Sequence, residues 1–73
     1  MEIFKIVIHA AGSLQSYCDP RIFFNQESAR QYAKGIVKEG FWDEVEVGSV
    51  IIYRERPDNK LGWFVTVGQE AIK

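Results

Sequence analysis

The stretch FNQESARQYAKGIVKEG, residues 24–40, decides the fold. Asn25 is a favoured N-cap residue, and Glu27 falls in the first turn, where the helix dipole stabilises a carboxylate. Ala29, Tyr32, Ala33, Ile36 and Val37 follow at i, i+3, i+4, i+7 and i+8, one apolar stripe of helical period. The two small alanines let the helix sit close to whatever it covers. Gly35 lies off the stripe and costs about 1 kcal/mol relative to Ala, so the helix depends on packing for its stability. Gly40 stands where a left-handed C′ residue would end it, and Phe41 at C″ is placed for an apolar contact back to Ile36. The spacing predicts a helix over Gln26–Glu39.

Before this helix the pattern has period two. In Glu2–Ala10, Phe4, Ile6 and Ile8 share one face of a strand, while Ile3, Lys5, Val7 and His9 share the other. Ala11-Gly12-Ser13 reads as a turn. A second strand is expected around Arg21–Phe24, beginning near Leu14 and interrupted at Cys18–Pro20, because proline is tolerated only at strand edges, starts or bulges. After the helix come Trp42, the acidic Asp43, Glu44 and Glu46, and a β-rich run. Val45 and Val47 alternate, and Val50-Ile51-Ile52-Tyr53 is apolar on both faces, as a central or bulged strand would be. Pro57-Asp58-Asn59-Lys60 is turn chemistry, and Leu61–Val67 is the return strand. A four-residue loop there would set Arg54 opposite Trp63, Tyr53 opposite Phe64, and Ile52 opposite Val65. The expected fold is a small α+β domain of order β-β-α-β-β, with one helix on one face of a mainly antiparallel sheet.

Length and composition bound what such a domain can do. Seventy-three residues form one domain, and nine Lys plus Arg against ten Asp plus Glu leave a net charge of −1. That excludes a strongly acidic DNA mimic and disfavours binding to nucleic acid through bulk positive charge. No apolar run approaches the roughly 18–20 residues of a membrane span. Glu2 and Lys5 interrupt the apolar N-terminus, which reads as neither a signal peptide nor an anchor. Cys18 has no second cysteine to pair with, favouring a reducing, cytoplasmic setting. Five Phe, three Tyr and two Trp are more aromatic volume than one helix on one small sheet hides, so some should meet a partner.

The residues that could carry chemistry are few. One His and one Cys without paired spacing cannot supply the ligands of a zinc site, and no cofactor is expected. His9, Cys18 and Asp19 could compose a nucleophile, base and orienter, but nothing else in the chain builds an oxyanion hole or deep pocket. Gly12 and Gly48 are isolated from any phosphate-binding pattern. The reading is therefore non-enzymatic. Arg30, Lys34 and Lys38, spaced by four, form a basic helix stripe, and Tyr53 with Phe64 beside Lys5 could stack unpaired bases. A protein-binding surface is favoured over this, because Phe41, Trp42, Tyr53, Arg54, Arg56, Trp63 and Phe64 include the residue types enriched in binding hot spots. The bland alternative for Trp63 is a cation–π contact with Arg54. The face not covered by the helix would carry Ile3, Val7, Ile51, Tyr53 and Phe64, an apolar area suited to a homodimer or another partner.

Phe24 through Ala33, with Ile36, Glu39, Gly40, Phe41 and Trp42, also resembles a pattern in small phage and mobile-element proteins. There, a strand ending in Phe leads into an E-x-A-x-x-Y-A helix closed by E-G-aromatic and followed by a β-hairpin. Some small anti-CRISPR and other anti-defence proteins are similar in size and element order. The resemblance covers about a quarter of the chain. It implies a compact accessory protein that inhibits or modulates a host protein complex in the host cytoplasm. The long Ala11–Pro20 segment and the two-faced apolar strand at Val50–Tyr53 depart from that pattern. No functional residue is carried over.

Overall fold

Asn25 caps the helix as its chemistry requires: the Ser28 amide donates to Asn25 Oδ1 at 3.1 Å, and the Ala29 amide to the Asn25 carbonyl at 3.1 Å. The helix, α1, runs Gln26–Glu39. This computed structural model describes residues 1–12, 14–39 and 46–72. Around α1 lie four strands, β1 (Ile3–Ala10), β2 (Ser16–Phe23), β3 (Val47–Asp58) and β4 (Trp63–Ile72), in the order β-β-α-β-β. They form one antiparallel sheet of spatial order β2-β1-β3-β4. The two strands richest in apolar residues on both faces, β1 and β3, take the centre, where neither edge is wet.

Alternation divides the sheet cleanly. Phe4, Ile6 and Ile8 of β1 stand beside Arg54, Ile52 and Val50 of β3, and Ile72 of β4 pairs with Val50. Apart from the exposed Arg54, these side chains meet Ala29, Ala33 and Ile36 of the helix in a single core, with Phe23, Tyr32 and Val47 at its margin. Ile6, Ile8, Val50, Ala29 and Ala33 have no exposed surface. Val37, expected on the buried stripe, is 37% exposed. At i+8 it has rotated past the sheet, and the alanines nearer the centre bring the helix down instead. The expected C′ role of Gly40 and the Phe41–Ile36 contact lie outside the described residues, as do Val45 and the acidic Asp43 and Glu44.

The second strand, expected around Arg21–Phe24 from a start near Leu14, runs Ser16–Phe23 without Phe24, because its interruption at Cys18–Pro20 is a bulge rather than an end. Val7 pairs with Cys18 and Lys5 with Ile22, so Asp19, Pro20 and Arg21 all stand opposite Ile6. The bulge falls on an edge strand, where the missing amide hydrogen of Pro20 breaks no second ladder. Asp19 holds it in place. Only 4% exposed, its carboxylate accepts from the Arg21 amide at 2.9 Å and from the Tyr32 hydroxyl at 2.7 Å. Arg21 lies over the Tyr32 ring at 4.9 Å, and Phe23 packs on that ring with centroids 5.3 Å apart. Burial first, and then the Asp19 carboxylate, push the Tyr32 hydroxyl above its ordinary pKa.

The β3–β4 hairpin turns two residues later than its turn chemistry suggests. Asp58 pairs with Trp63, leaving Asn59–Gly62 as the loop. The reason is local: Asp58 Oδ1 accepts from the Lys60 and Leu61 amides at 2.8 and 3.0 Å, and the Gly62 amide donates to the Asp58 carbonyl at 2.9 Å. Gly62 closes the loop at φ +78°, a left-handed conformation that only glycine adopts without strain. Pro57 thus belongs to the strand and Asp58 starts the turn. The shift moves every pairing: Arg54 faces Gly68, Tyr53 faces Gln69, and Ile52 faces Glu70.

Candidate interaction surfaces

The late turn creates an arm. Pairing of β1 with β3 stops at Ile3 opposite Glu55, whereas the β3–β4 ladder continues through Arg56–Val65, Pro57–Phe64 and Asp58–Trp63. Those pairs and their loop project past the sheet as a two-stranded ribbon, and the molecule measures 41 Å in its longest extent against 17 Å in its shortest. A ribbon without a third layer cannot bury its side chains. Trp63 is 63% exposed, Leu61 50% and Phe64 37%, and Arg56 is also open to solvent. The bulge at Val67, between the Arg54–Gly68 and Glu55–Thr66 pairs, marks the root of the arm and increases its twist.

Three of the seven expected partner-binding residues, Arg56, Trp63 and Phe64, come together on this arm. Leu61 joins them at the tip. Its pattern alone puts Leu61 in the return strand, and the signal that moves it to the loop is the Asp58-x-x-x-Gly62 spacing. Phe41 and Trp42 lie outside the described residues. Tyr53 and Arg54 sit on the central sheet, on opposite faces. The expected stacking of Tyr53 on Phe64 does not occur: Phe64 is opposite Pro57, four residues or roughly 13 Å along β3 from Tyr53. The Trp63–Arg54 contact fails for the same shift in register. Arg54 instead lies against Gly68, where an added Cβ would stand 3.1 Å from its Nη2.

The second surface is the sheet face away from the helix. β1 contributes Ile3, Lys5, Val7 and His9, paired with Glu55, Tyr53, Ile51 and Ser49 of β3. Cys18 and Ile22 extend it across β2, and Gln69 and Ala71 across β4. Lys5 Nζ and Glu55 Oε1 are 3.4 Å apart, and Thr66 donates to Glu55 Oε2 at 3.3 Å. All five residues expected on the uncovered side, Ile3, Val7, Ile51, Tyr53 and Phe64, project to this side, with Phe64 out on the arm, but Ile3 is buried at 5% exposure and adds nothing to an open apolar area.

The helix side is polar in a different way. Arg30 Nε donates to both oxygens of Glu70, at 2.9 and 3.1 Å, with Glu27 3.9 Å from Nη1. This bond from Arg30, more than any other contact, holds the Glu70 carboxyl below its usual range. The pair walls an open cleft of about 290 Å³ between the first helical turn and β3–β4, with Phe4 and Ile52 also lining it and Arg54 opposite. The basic stripe is accordingly reduced. Arg30 turns its charge toward β4, and only Lys34 and Lys38 remain as exposed lysines on it.

The possible nucleophilic set is taken apart by the sheet. His9 and Cys18 are on the open face, whereas the Asp19 carboxylate is engaged by Tyr32 on the helix face. His9 Nε2 is buried with no hydrogen-bond partner, so neither of the other two bonds to that nitrogen. Among the described residues no helix is long and apolar enough to cross a membrane. The chain matches no protein-family model, no curated protein and no solved structure.

Proposed function

We propose that this protein is a non-enzymatic protein-binding module that engages its partner through the β3–β4 arm. The observation that carries the reading is the exposure of Trp63, at 63%, on a ribbon that also presents Leu61, Phe64 and Arg56. Trp and Arg are the side chains most enriched among residues that dominate binding energy, and a projecting hairpin can enter a groove on another protein. The described residues of its own chain leave most of the Trp63 surface open. The finer reading, an inhibitor or modulator of a host protein complex of the anti-CRISPR or anti-defence kind, follows from the resemblance of the 24–42 segment to small phage proteins. It makes the host cytoplasm the place of action and a host protein the partner.

Affinity capture from host extract, with wild type beside a Trp63→Ala, Leu61→Ala variant, tests this reading. Capture that is lost in the variant, and that survives raised salt, supports the arm. Capture that is equal for both proteins contradicts it. Single-strand nucleic-acid binding predicts the reverse: titration with an oligonucleotide would weaken steeply with salt and vanish on charge reversal at Arg30, Lys34 and Lys38, with no effect of Trp63→Ala.

A further inference from the structure

We infer that the open sheet face is a homodimer interface, two copies of this chain packing face to face about a two-fold axis. This goes beyond the arm reading and uses different residues. Within the described residues two intrachain covers are conceivable, the Leu14–Pro20 segment and the C-terminal residues. The structure assigns both elsewhere: Ser16–Pro20 is part of β2, Leu14 is fully exposed, and Ile72 is on the helix side with 7% exposure. Among the described residues no helix or further strand lies across the Val7–Ile51 centre of the face, although Ile3 at one end of it is only 5% exposed.

Three properties select a second copy as occupant. The first is area. Four strands at about 4.8 Å spacing and eight residues at about 3.3 Å give a plan of roughly 19 by 26 Å, about 500 Å² before side-chain relief is added. Side-chain relief adds to this plan, and a standard stable interface buries roughly 800 Å² per partner. The second is charge. Lys5 and Glu55 are the charged side chains on this face among the described residues, and they are already paired with each other. The face is neutral, so a two-fold rotation brings together no excess of like charge. The third is arrangement. Val7 and Ile51 are cross-strand partners at the middle of the two central strands, flanked by Ala71. The Lys5–Glu55 pair lies toward one end, giving an apolar centre with a polar rim. An isologous contact centred on Val7 and Ile51 places like on like, and two sheets about 10 Å apart interdigitate their inner side chains there. Such a dimer also doubles the apolar layer available to a chain too short to build a second core.

Sedimentation equilibrium from low to high micromolar concentration tests the interface. Wild type is expected to shift from 8.4 kDa toward twice that mass as concentration rises. Ile51→Glu places a carboxylate at the centre and should hold the mass at 8.4 kDa. Because Ile51 is in a central strand, Ala71→Glu serves as the second variant: it is exposed, pairs with Ile51, and should also give a folded monomer by circular dichroism. Trp63→Ala should leave the dimer intact. A wild type that stays at monomer mass at every concentration overturns the dimer, as does a dimer unaffected by a folded Ala71→Glu. A monomer that still captures its partner through Trp63 overturns the dimer alone and leaves the arm reading standing.

Discussion

Ile51 and Ile52 are the same side chain one residue apart on β3, yet they belong to different parts of the molecule. Ile52 is 2% exposed beneath the helix, packed with Phe4, Ile6 and Ile36 in the core. Ile51 lies half-buried on the bare face between Val7 and Ala71. On β1 the same contrast separates Ile6, fully buried, from Val7, but not Phe4 from Ile3, which are 6% and 5% exposed. Backbone alternation alone separates them. What differs is the second layer: one face has received a helix, and the other carries no second layer among the described residues. A hydrophobic strand therefore does not specify a core by itself; the element laid across it does.

The contrast breaks most sharply by truncation. Ile6→Ala should cost about 2–5 kcal/mol in urea unfolding, because the fully packed site under the helix cannot collapse around the cavity. Ile36→Ala on the helix side of the same contact should cost about 2–4 kcal/mol. Val7→Ala, measured at a concentration where the chain is monomeric, should cost about 1 kcal/mol or less. Equal losses at positions 6 and 7 would mean that both faces are packed within one chain.

Much of this division is legible in the amino-acid sequence. The helix bounds follow from Asn25 and the stripe beginning at Ala29, and the identity of the two faces follows from the alternation of Ile3 to His9. These are local signals, since capping and period are written into neighbouring residues. The hairpin register is less accessible, because Pro57 and Asp58 are both turn formers and only the Asp58 carboxylate reaching Lys60 and Leu61 decides between them. That choice determines the arm, and with it the separation of Phe64 from Tyr53. The β2 bulge is hidden for a different reason. Asp19 is anchored by Tyr32, thirteen positions away, and no pattern along the chain announces a long-range hydrogen bond.

That anchor gives the next sharpest test. Asp19→Ala leaves the Arg21 amide and the Tyr32 hydroxyl without their acceptor and should destabilise the fold by about 1–3 kcal/mol. Cys18→Ala, one residue away but on the open face, should change stability far less. A double-mutant cycle with Tyr32→Phe should show coupling to Asp19, and strict additivity would place the anchor's worth elsewhere.

The smallest effect is electrostatic. The folded pKa of Glu70 lies below its unfolded value because Arg30 holds the ionised form. Its stabilising contribution is therefore present above the ordinary glutamate range and lost as pH falls through the lowered folded value. Urea midpoints between pH 7 and pH 3 should decline less steeply in Glu70→Gln than in wild type. Parallel declines would show that the Arg30–Glu70 pair adds nothing to the folded state.

The central claim, that one set of alternate residues builds the core and the other docks a second copy, is tested most directly by Ile52→Ser beside Ile51→Ser. Urea unfolding of each would be followed across a hundredfold range of protein concentration. Wild-type stability should rise with concentration, as dimerisation adds to the free energy of folding. Ile52→Ser should be severely destabilised at every concentration. Ile51→Ser should remain folded, with a midpoint that no longer depends on concentration. Equal destabilisation by both variants, together with a wild-type midpoint that does not move with concentration, would contradict the account.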